Sequence, residues 1–247
     1  MARTLKVKIY RHDPDSGEAP HYDTFMVEET PGMSVFNVMD QIQCHEDGTL
    51  YYDICCRSNV CGSCAMTING QPKLACRTQT GTLPDELLLE PLSYFPLIKD
   101  VATDKGTWLR DVSLRTKAWM HNREDREFNP DHEQQQSDKV ARQVYEADRC
   151  IECGICVAAC GSCKIDPDYL GPMGLNRALK LAADDRDHRG FAGVEEIVKG
   201  EAGVFGCEAM VGCSAFCPKE IPLPKHIATL RTNIIKETIL KSLFGKK

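Results

Sequence analysis

The sequence predicts an α+β chain with a strand-rich N-terminal part and a helical C-terminal part, on three observations. Apolar residues near the N-terminus alternate with polar ones, as at Leu5, Val7 and Ile9, which is the period of a half-buried strand. From about residue 100 the apolar residues recur at helical spacing instead. Cysteines form three sets, one in the first part and two in the second. The change of period predicts two domains, residues 1–105 and 106–247.

Each element of the N-terminal part follows from local sequence. The alternating segment predicts the first strand, residues 13–17 a turn, and residues 22–28 the second strand of a hairpin. Ser34 is a favoured helix N-cap residue, and apolar residues at helical spacing follow it. A short helix is therefore expected, with an apolar face formed by Val35, Val38, Met39 and Ile42.

The first cysteine set has the spacing of a plant-type [2Fe-2S] site. It starts as C-x4-C-x2-C with a distant fourth cysteine, and thiolates are the soft, negatively charged ligands that iron–sulfur clusters use. Gly62 lies between two of these cysteines, where the loop must wrap closely around the cluster. Asn69 and Gly70 form a hairpin-turn signal, so residues 65–68 and 73–76 are expected to pair as strands. The predicted ligands are Cys56, Cys61, Cys64 and Cys76.

Helical periodicity accounts for most of the C-terminal part. The predicted helices are residues 108–119, with Leu114 and Ala118 among their apolar positions, then residues 139–145, 174–183 and about 225–244. The last helix carries Ile227, Leu230, Ile234 and Leu240 towards a core. Residues 122–138 are polar and are expected to form a solvated connection or an exposed helix.

The two later cysteine runs repeat one pattern. The first is Cys150, Cys153, Cys156 and Cys160, spaced C-x2-C-x2-C-x3-C. The second has the same spacing, ends in Cys217-Pro218, and reads Cys207, Met210, Cys213 and Cys217. In two-cluster bacterial ferredoxins with this spacing, the fourth cysteine of each run serves the other run's cluster. A complete [4Fe-4S] cluster is therefore predicted on Cys150, Cys153, Cys156 and Cys217.

Met210 replaces one ligand of the other cluster. Methionine sulfur is neutral and a weak acceptor, so it does not substitute for a thiolate at an iron corner. Cys160, Cys207 and Cys213 therefore leave one corner open, which predicts a [3Fe-4S] centre. An incomplete cubane is expected to have a higher potential than a complete one, which suits an end of the chain that faces a quinone.

Zinc and disulfides are the alternatives for so many cysteines. Zinc sites usually present two separated CxxC pairs and leave C-x4-C-x2-C unexplained. The apolar residues near Met1 alternate with Arg3, Lys6 and Lys8, unlike a signal peptide, so fourteen cysteines favour metal ligation in a reducing compartment. Three cysteines remain and are expected to be small buried residues. Cys163 is spaced C-x2-C from Cys160, however, and could compete for a cluster corner. The three remaining cysteines are Cys44, Cys55 and Cys163.

Composition limits the function further. The net charge of −6 and the lack of a basic patch interleaved with aromatic residues argue against nucleic-acid binding. The sequence contains no run of 18 apolar residues, so no membrane span is predicted. No GxGxxG motif follows a strand, so flavin or nicotinamide chemistry is expected to lie on another chain. Three clusters of different type predict a one-electron wire between a two-electron centre and another acceptor.

These motifs resemble the iron–sulfur subunit of succinate dehydrogenases and quinol:fumarate reductases over essentially the whole chain. The resemblance rests on CRSNVCGSC, PKLACRT, PLIKD, DRCIECGIC, GLNRA, and FGC followed by CxxxCPK. It implies an α+β fold, with an N-terminal plant-type ferredoxin (β-grasp) domain followed by an all-α bacterial-ferredoxin-like domain. It also implies an electron-transfer role between the covalent FAD of a flavoprotein subunit and quinone at a membrane anchor, on the cytoplasmic face of the inner membrane.

Two departures from that family pattern concern the quinone. Cys160 is followed by glycine rather than proline and tryptophans, and Glu208 stands where some ubiquinone-type relatives have histidine. Both favour a menaquinone-type fumarate reductase with a haem-bearing anchor of the di-haem b type. Lys164 and Glu208 are the polar residues expected near such a quinone, with plain interface charges as the alternative. A free multi-cluster ferredoxin, or the iron–sulfur subunit of another quinone- or disulfide-linked oxidoreductase, stays open as a function.

Overall fold

The computed structural model describes residues 3–121, 131 and 135–244, without the side chains of residues 238 and 240–244. The chain divides into two compact units, Met1–Trp108 with Ile151–Ala159, and Leu109–Cys150 with Cys160–Lys247. The segment Ile151–Ala159 therefore belongs to the first unit, although it follows residue 105 in the sequence. The predicted domains 1–105 and 106–247 stay a prediction.

A five-stranded sheet forms the centre of the first unit, in the order β2-β1-β5-β3-β4. β1 pairs antiparallel with β2 and parallel with β5, and β3 pairs antiparallel with β5 and β4. The strands are β1 (Thr4–Arg11), β2 (His21–Glu28), β3 (Ala65–Ile68), β4 (Gln71–Leu74) and β5 (Glu86–Glu90). A short pair, β6 (Leu97–Lys99) and β7 (Ala102–Thr103), follows. The alternation of the first strand is confirmed, because Leu5, Val7 and Ile9 are fully buried.

Helix α1 (Val35–His45) begins where the sequence predicts. The Ser34 hydroxyl accepts from the backbone N–H of Asn37, and the Asn37 side chain accepts from the Ser34 backbone N–H, which completes a capping box. The predicted apolar face is buried, and each such side chain contributes about 1.5–3 kcal/mol. The hairpin at Asn69 and Gly70 is confirmed as well, with both residues in the left-handed conformation.

The strand before the fourth cysteine of the first set is shorter than predicted. β4 ends at Leu74, so residues 75 and 76 lie beyond it rather than in a strand over residues 73–76. The residues after β4 are still connected to the cluster loop by one hydrogen bond, from the Ala75 N–H to the Cys64 carbonyl at 3.0 Å. β5 is absent from the sequence prediction, because it is held by pairing with β1, about 80 residues away along the chain.

The helices of the rest of the chain largely follow the predicted periodicity. They are α2 (Gly106–Arg115), α3 (Asp138–Asp148), α4 (Ile155–Ala158), α5 (Gly161–Ile165), α6 (Gly171–Ala183), α7 (Gly190–Val198), α8 (Gly212–Ala215) and α9 (Leu223–Phe244). The prediction for α2 is wrong in detail. The helix ends before Ala118, and Leu114, expected on its apolar face, is 63% exposed. The apolar residues there are too sparse to define the buried side.

In the second unit, α6 packs against α3, α7 and α9. Buried Asn176 of α6 fastens these helices: its amide donates to the Ala147 carbonyl at 2.9 Å, and its carbonyl oxygen lies 2.7 Å from Nδ1 of His226 in α9. Ile227, Leu230 and Ile234 of α9 are buried, as predicted. The side chain of Leu240 and most of residues 122–138, for which predictions were made, lie outside the described residues.

Over the described part of the chain, α9 included, no helix has the length and apolar character needed to span a bilayer.

Candidate metal centres

The loop around Cys56 is built to hold negative charge. The Cys56 sulfur accepts from the backbone N–H groups of Ser58, Val60 and Cys61, at 3.4, 3.3 and 3.2 Å. Arg57 and Asn59 adopt left-handed conformations, which turn these N–H groups towards the sulfur. The same hydrogen bonds lower the pKa of the Cys56 thiol to about 6. A loop that stabilises thiolate in this way fits the anionic sulfurs of an iron–sulfur cluster.

The remaining cysteines of the first set converge on one another. Burial is the largest of the causes that raise the pKa of the Cys64 thiol to about 12, and the charges of Cys76 and Cys61 contribute to this shift. A buried thiol with a raised pKa, such as Cys64, is a poor anion by itself, and a coordinated iron would compensate this cost because a bound metal deprotonates the thiol outright. Within the first unit, Cys56 and Cys61 are therefore hydrogen-bonded neighbours, and Cys64 lies near Cys76 and Cys61.

Gly62 brings this loop against the segment that carries Cys153. Its φ is +76°, and a Cβ placed there would meet Cβ of Cys153 at 2.8 Å, and Cα of Cys153 and the Ile151 carbonyl oxygen at 2.9 Å. Only glycine allows such a close approach of two backbones. The segments that carry Cys61, Cys64 and Cys153 are therefore in direct contact within the first unit.

Lys105 lies at the same contact. Its side chain is 13% exposed, and Nζ donates to the Ser63 carbonyl at 3.1 Å and lies 3.9 Å from the Asp53 carboxylate. Burial lowers the pKa of Lys105, and the negative charges of Asp53, Cys153 and Cys64 oppose that shift. A positive charge is thus held beside cysteines of two predicted clusters.

The two later cysteine runs repeat a backbone conformation as well as a spacing. In the first run, the neighbours of Cys153 on either side, Glu152 and Gly154, have φ values of 54° and 81°. In the second run, the neighbours of Met210, which are Ala209 and Val211, have φ values of 54° and 50°. A left-handed β-branched residue such as Val211 is a strained exception in proteins. The backbone at Met210 therefore has the conformation of a cluster-ligand position.

The next cysteine of each run is also placed alike. Cys156 is the second residue of α4, and Cys213 is the second residue of α8. Cys153 and Cys156 are buried in the first unit. In the second unit, burial and then the charge of Cys217 raise the pKa of the Cys150 thiol to about 11, so these two cysteines are neighbours.

Cys160, Cys207 and Cys213 converge in the second unit. Burial raises the pKa of the Cys213 thiol to about 11, with further contributions from the charges of Cys160 and Cys207. A side-chain hydrogen bond from Cys163 is the main reason that the pKa of Cys160 falls to about 6. Cys163 is buried, as predicted, and it acts on Cys160 as a neighbour.

Met210 packs against the other run at Gly161. A Cβ added to Gly161 would lie 2.6 Å from the Met210 sulfur, so glycine at position 161 leaves the room that the methionine side chain occupies. The Ser162 hydroxyl accepts from the Glu208 backbone N–H at 3.3 Å and joins α5 to the same loop. Lys164 and Glu208, the predicted quinone-proximal residues, are both exposed on these joined segments.

The expectation for two spare cysteines is wrong. Cys44 and Cys55 are exposed rather than buried. Cys44 lies on α1 outside its apolar face, and Cys55 lies directly before the cluster loop. Burial of a single cysteine depends on its position on an element, which composition does not reveal.

Three residues beside these centres were missed in the sequence analysis. They are Lys105, Tyr169 and Arg231. Arg231 of α9 donates to the carbonyls of Val204 and Cys207 at 2.6 and 3.2 Å and so fixes the start of the second run. The sequence signal for Arg231 was its position next to the buried apolar residues of α9. Lys105 and Tyr169 have no comparable signal in the sequence.

Among the described residues, no group of three or more His, Cys, Asp or Glu side chains is arranged to hold a metal ion. What fits an iron–sulfur cluster is the donor chemistry of the loops: the N–H groups aimed at Cys56, the converging thiols, and the buried Tyr169 hydroxyl, which completes no well-formed hydrogen bond within the described part of the chain.

Two family models match the chain. A 2Fe-2S iron–sulfur cluster binding domain matches residues 6–110, and a 4Fe-4S dicluster domain matches residues 146–221. The matched segments contain the three cysteine sets described above.

The chain is also similar to named proteins along its whole length. It is 39% identical to the fumarate reductase iron–sulfur subunit of Wolinella succinogenes, over 95% of this chain and 99% of that one. It is 30% identical to the succinate dehydrogenase iron–sulfur subunit of Coxiella burnetii, over 95% and 98% of the two chains. Its fold matches a chain of the Mycobacterium smegmatis Sdh1 complex, with a TM-score of 0.84, 21% identity, and coverage of 97% and 98%.

Proposed function

The chain belongs to the family of iron–sulfur subunits of fumarate reductases and succinate dehydrogenases, and from this premise we propose that it passes electrons one at a time between the FAD of a flavoprotein subunit and quinone at a membrane anchor. It is the electron-transfer part of an oxidoreductase complex, with [2Fe-2S], [4Fe-4S] and [3Fe-4S] clusters as its cofactors. The covalent attachment of FAD, menaquinone and a di-haem anchor are finer parts of the same proposal.

We assign the ligands as the spacing predicts. The [2Fe-2S] cluster is held by Cys56, Cys61, Cys64 and Cys76, the [4Fe-4S] cluster by Cys150, Cys153, Cys156 and Cys217, and the [3Fe-4S] cluster by Cys160, Cys207 and Cys213. The observation that carries this assignment is the repeated left-handed backbone on both sides of Cys153 and Met210. It supports Met210 as the occupant of a ligand position that lacks a thiolate.

When bound, the clusters supply one-electron oxidation and reduction. The residues of this chain position them and adjust the charge around them. Glycine at position 62 lets the loop that bears Cys61 and Cys64 touch the segment that bears Cys153. Because electron tunnelling slows steeply with distance, this contact supports transfer from the first centre to the second.

Metal analysis and redox titration of the anaerobically purified complex test the assignment. We expect iron and sulfide in the amounts of one two-iron, one four-iron and one three-iron centre, with three separable midpoint potentials by EPR. Zinc in their place, or a single kind of iron centre, would overturn the proposal. Recovery of the chain wholly apart from membranes would favour a free multi-cluster ferredoxin instead.

The finer fold and location belong to the same proposal. The five-stranded sheet with α1 supports a β-grasp ferredoxin domain in residues 1–105, and the repeated short helices α4 and α8 support a bacterial-ferredoxin-like arrangement in residues 106–247. We place the subunit peripherally on the cytoplasmic face of the inner membrane.

The anchor-facing surface is proposed beside the three-iron centre. Ile165 and Met210 lie on segments that the Gly161 contact and the Ser162 hydrogen bond join, and Lys164 and Glu208 lie on those segments too. Ile165 is 77% exposed and Met210 56% exposed, and exposed apolar side chains on joined segments are typical of a surface that a partner covers. We propose that the membrane anchor covers this surface and that the two charged residues face the quinone headgroup.

Replacing Ile165 with glutamate should detach the subunit from the anchor. A buried carboxylate without a partner is costly at an interface, whereas the exposed site tolerates it in the free subunit. We expect at least a tenfold loss of quinone-linked activity, with flavin-linked dye reduction retained. Leu114→Glu, which changes an apolar residue of α2 that is 63% exposed, is the matched control. Full membrane binding and quinone activity of Ile165→Glu would refute this surface.

Replacing Lys105 with methionine should lower the potential of the [2Fe-2S] cluster. A nearby cation stabilises the more negative, reduced state, and Lys105 is held beside Cys61 and Cys64. We expect a fall of about 59 mV, equivalent to a tenfold change in the ratio of reduced to oxidised cluster. Lys99→Met, which removes a surface pair with Asp13, should leave the potential unchanged. Equal potentials in both variants and the wild type would contradict a role for this charge.

A further inference from the structure

Tyr169 carries a buried hydroxyl for which the described part of the chain provides no well-formed hydrogen bond. It lies in the connection between α5 and α6, and its side chain is 1% exposed. Among the described residues, the hydroxyl completes no well-formed hydrogen bond. A buried hydroxyl without a partner is destabilising, so such groups normally have one. The needed partner must then be an acceptor at this site, and a sulfur of the proposed cluster or of its ligands is the acceptor that the site offers.

The hydroxyl is aimed at the three-cysteine site. The Tyr169 ring packs on the residue before Cys207, because a Cβ at Gly206 would lie 3.0 Å from its Cδ2. The Leu170 backbone N–H donates to the Ala202 carbonyl at 2.8 Å and fixes the connection against the same loop. Burial, then the charges of Cys207, Cys160 and Cys163, and a hydrogen bond to Cys207 raise the pKa of Tyr169, which agrees with the packing of its ring beside Cys207.

Cys163 supplies a second donor at the same site. Its side chain is fully buried on α5, and its thiol hydrogen-bonds to the sulfur of Cys160. Cys163 is thereby a neighbour of a proposed ligand, and its S–H group donates a hydrogen bond to the sulfur of that ligand. An O–H and an S–H group thus converge on one set of sulfurs.

We propose that Tyr169 donates a hydrogen bond to a sulfur of the [3Fe-4S] cluster, either a sulfide or the Cys207 thiolate, and that Tyr169 and Cys163 together raise the potential of this centre. The inference rests on the proposed assignment of Cys160, Cys207 and Cys213 to that cluster. Hydrogen bonds to cluster sulfurs favour the reduced state because it carries more negative charge, and they are among the features that set iron–sulfur potentials.

The role suits the position of the centre in the proposed wire. Electrons collect at the cluster with the highest potential, and a quinone is reduced or oxidised from there. In this role Tyr169 adjusts the potential of the cluster: it contacts the cofactor through a hydrogen bond and takes no part in substrate chemistry. The loss of one oxygen atom should therefore change a potential and leave the fold unaltered.

Tyr169→Phe tests the proposal in the complete complex. The ring and its packing on Gly206 remain, so only the hydroxyl is removed. We expect the [3Fe-4S] midpoint potential to fall by about 59 mV, a tenfold change in the ratio of reduced to oxidised cluster, with the other two potentials unchanged. In D2O, the Fe–S stretching bands of the wild type should shift more than those of the variant.

Cys163→Ala gives an independent second measurement. It should lower the same potential, while Tyr52→Phe, a buried tyrosine of the first unit, should leave it unchanged. An unchanged [3Fe-4S] potential in Tyr169→Phe would overturn the inference. If the wild-type complex lacks a three-iron EPR signal altogether, the failure lies in the ligand assignment and not in the hydrogen bond.

Discussion

Replacing Met210 with cysteine should convert the three-iron centre into a four-iron centre. The backbone is already prepared, because Ala209 and Val211 hold the conformation that Glu152 and Gly154 hold around Cys153. The strain at Val211 is present in the wild type and adds no new cost in the variant. Cysteine is also shorter than methionine, so the side chain withdraws from Gly161 without a clash. A thiolate at position 210 then supplies the missing ligand.

The conversion should have a large redox effect. A fourth thiolate adds negative charge to the site, which disfavours the reduced state and lowers the potential. We expect a fall of more than about 118 mV, a hundredfold change in the ratio of reduced to oxidised cluster. Quinone-linked activity should drop at least tenfold, because the cluster nearest the quinone becomes a poor electron acceptor. Flavin-linked dye reduction should be retained.

Iron analysis and EPR of the purified complex measure this result. One additional iron atom per chain and loss of the three-iron signal are expected in Met210→Cys. Met210→Leu keeps a neutral side chain of similar volume at the same position and should retain the three-iron signal. Iron content and spectra identical to wild type in Met210→Cys would count against the assignment of this position as a vacant ligand site.

How far the sequence predicts the fold depends on the range of the interactions that form each element. β1, β2 and α1 rest on local patterns, namely alternation, a turn and a capping box, and the structure confirms them. β5 rests on parallel pairing with β1 across most of the first unit, so no local pattern distinguishes its leucines from a buried helix segment. Helices α4, α5 and α8 have four or five residues, too few for a helical period to be recognised.

The same distinction applies to the metal centres. Cysteine spacing is a local property, so eleven candidate ligands could be named in advance, along with the odd position of Met210. The residues that act on those ligands come from distant parts of the chain. Tyr169 reaches Cys207 and Lys105 reaches Ser63 only once the chain has folded. Their chemistry is ordinary, and it becomes informative only through burial and proximity.

Replacing Gly62 with alanine should break the contact between the first two cluster segments. The left-handed φ of +76° disfavours any side chain, and the new Cβ would lie within 2.9 Å of the Cys153 backbone and the Ile151 carbonyl. None of these atoms belongs to a flexible side-chain end, so the loop itself must move. Backbone strain of about 1–3 kcal/mol and overpacking of about 1–3 kcal/mol together predict a loss of roughly 2–6 kcal/mol in stability.

Gly70→Ala separates the two causes of that loss. Gly70 has nearly the same φ, +74°, in the same unit, but nothing lies within 4 Å of an added Cβ. It should therefore show the backbone strain alone, with normal electron transfer. Thermal unfolding of the complex and freeze-quench EPR after rapid mixing with succinate or a reductant compare the two variants. We expect Gly62→Ala to lose [2Fe-2S] signal or to delay reduction of the [4Fe-4S] cluster at least tenfold. If the two alanine variants behaved alike, the close approach of Gly62 to Cys153 would have no part in electron transfer, and the path between the first two centres would have to run elsewhere.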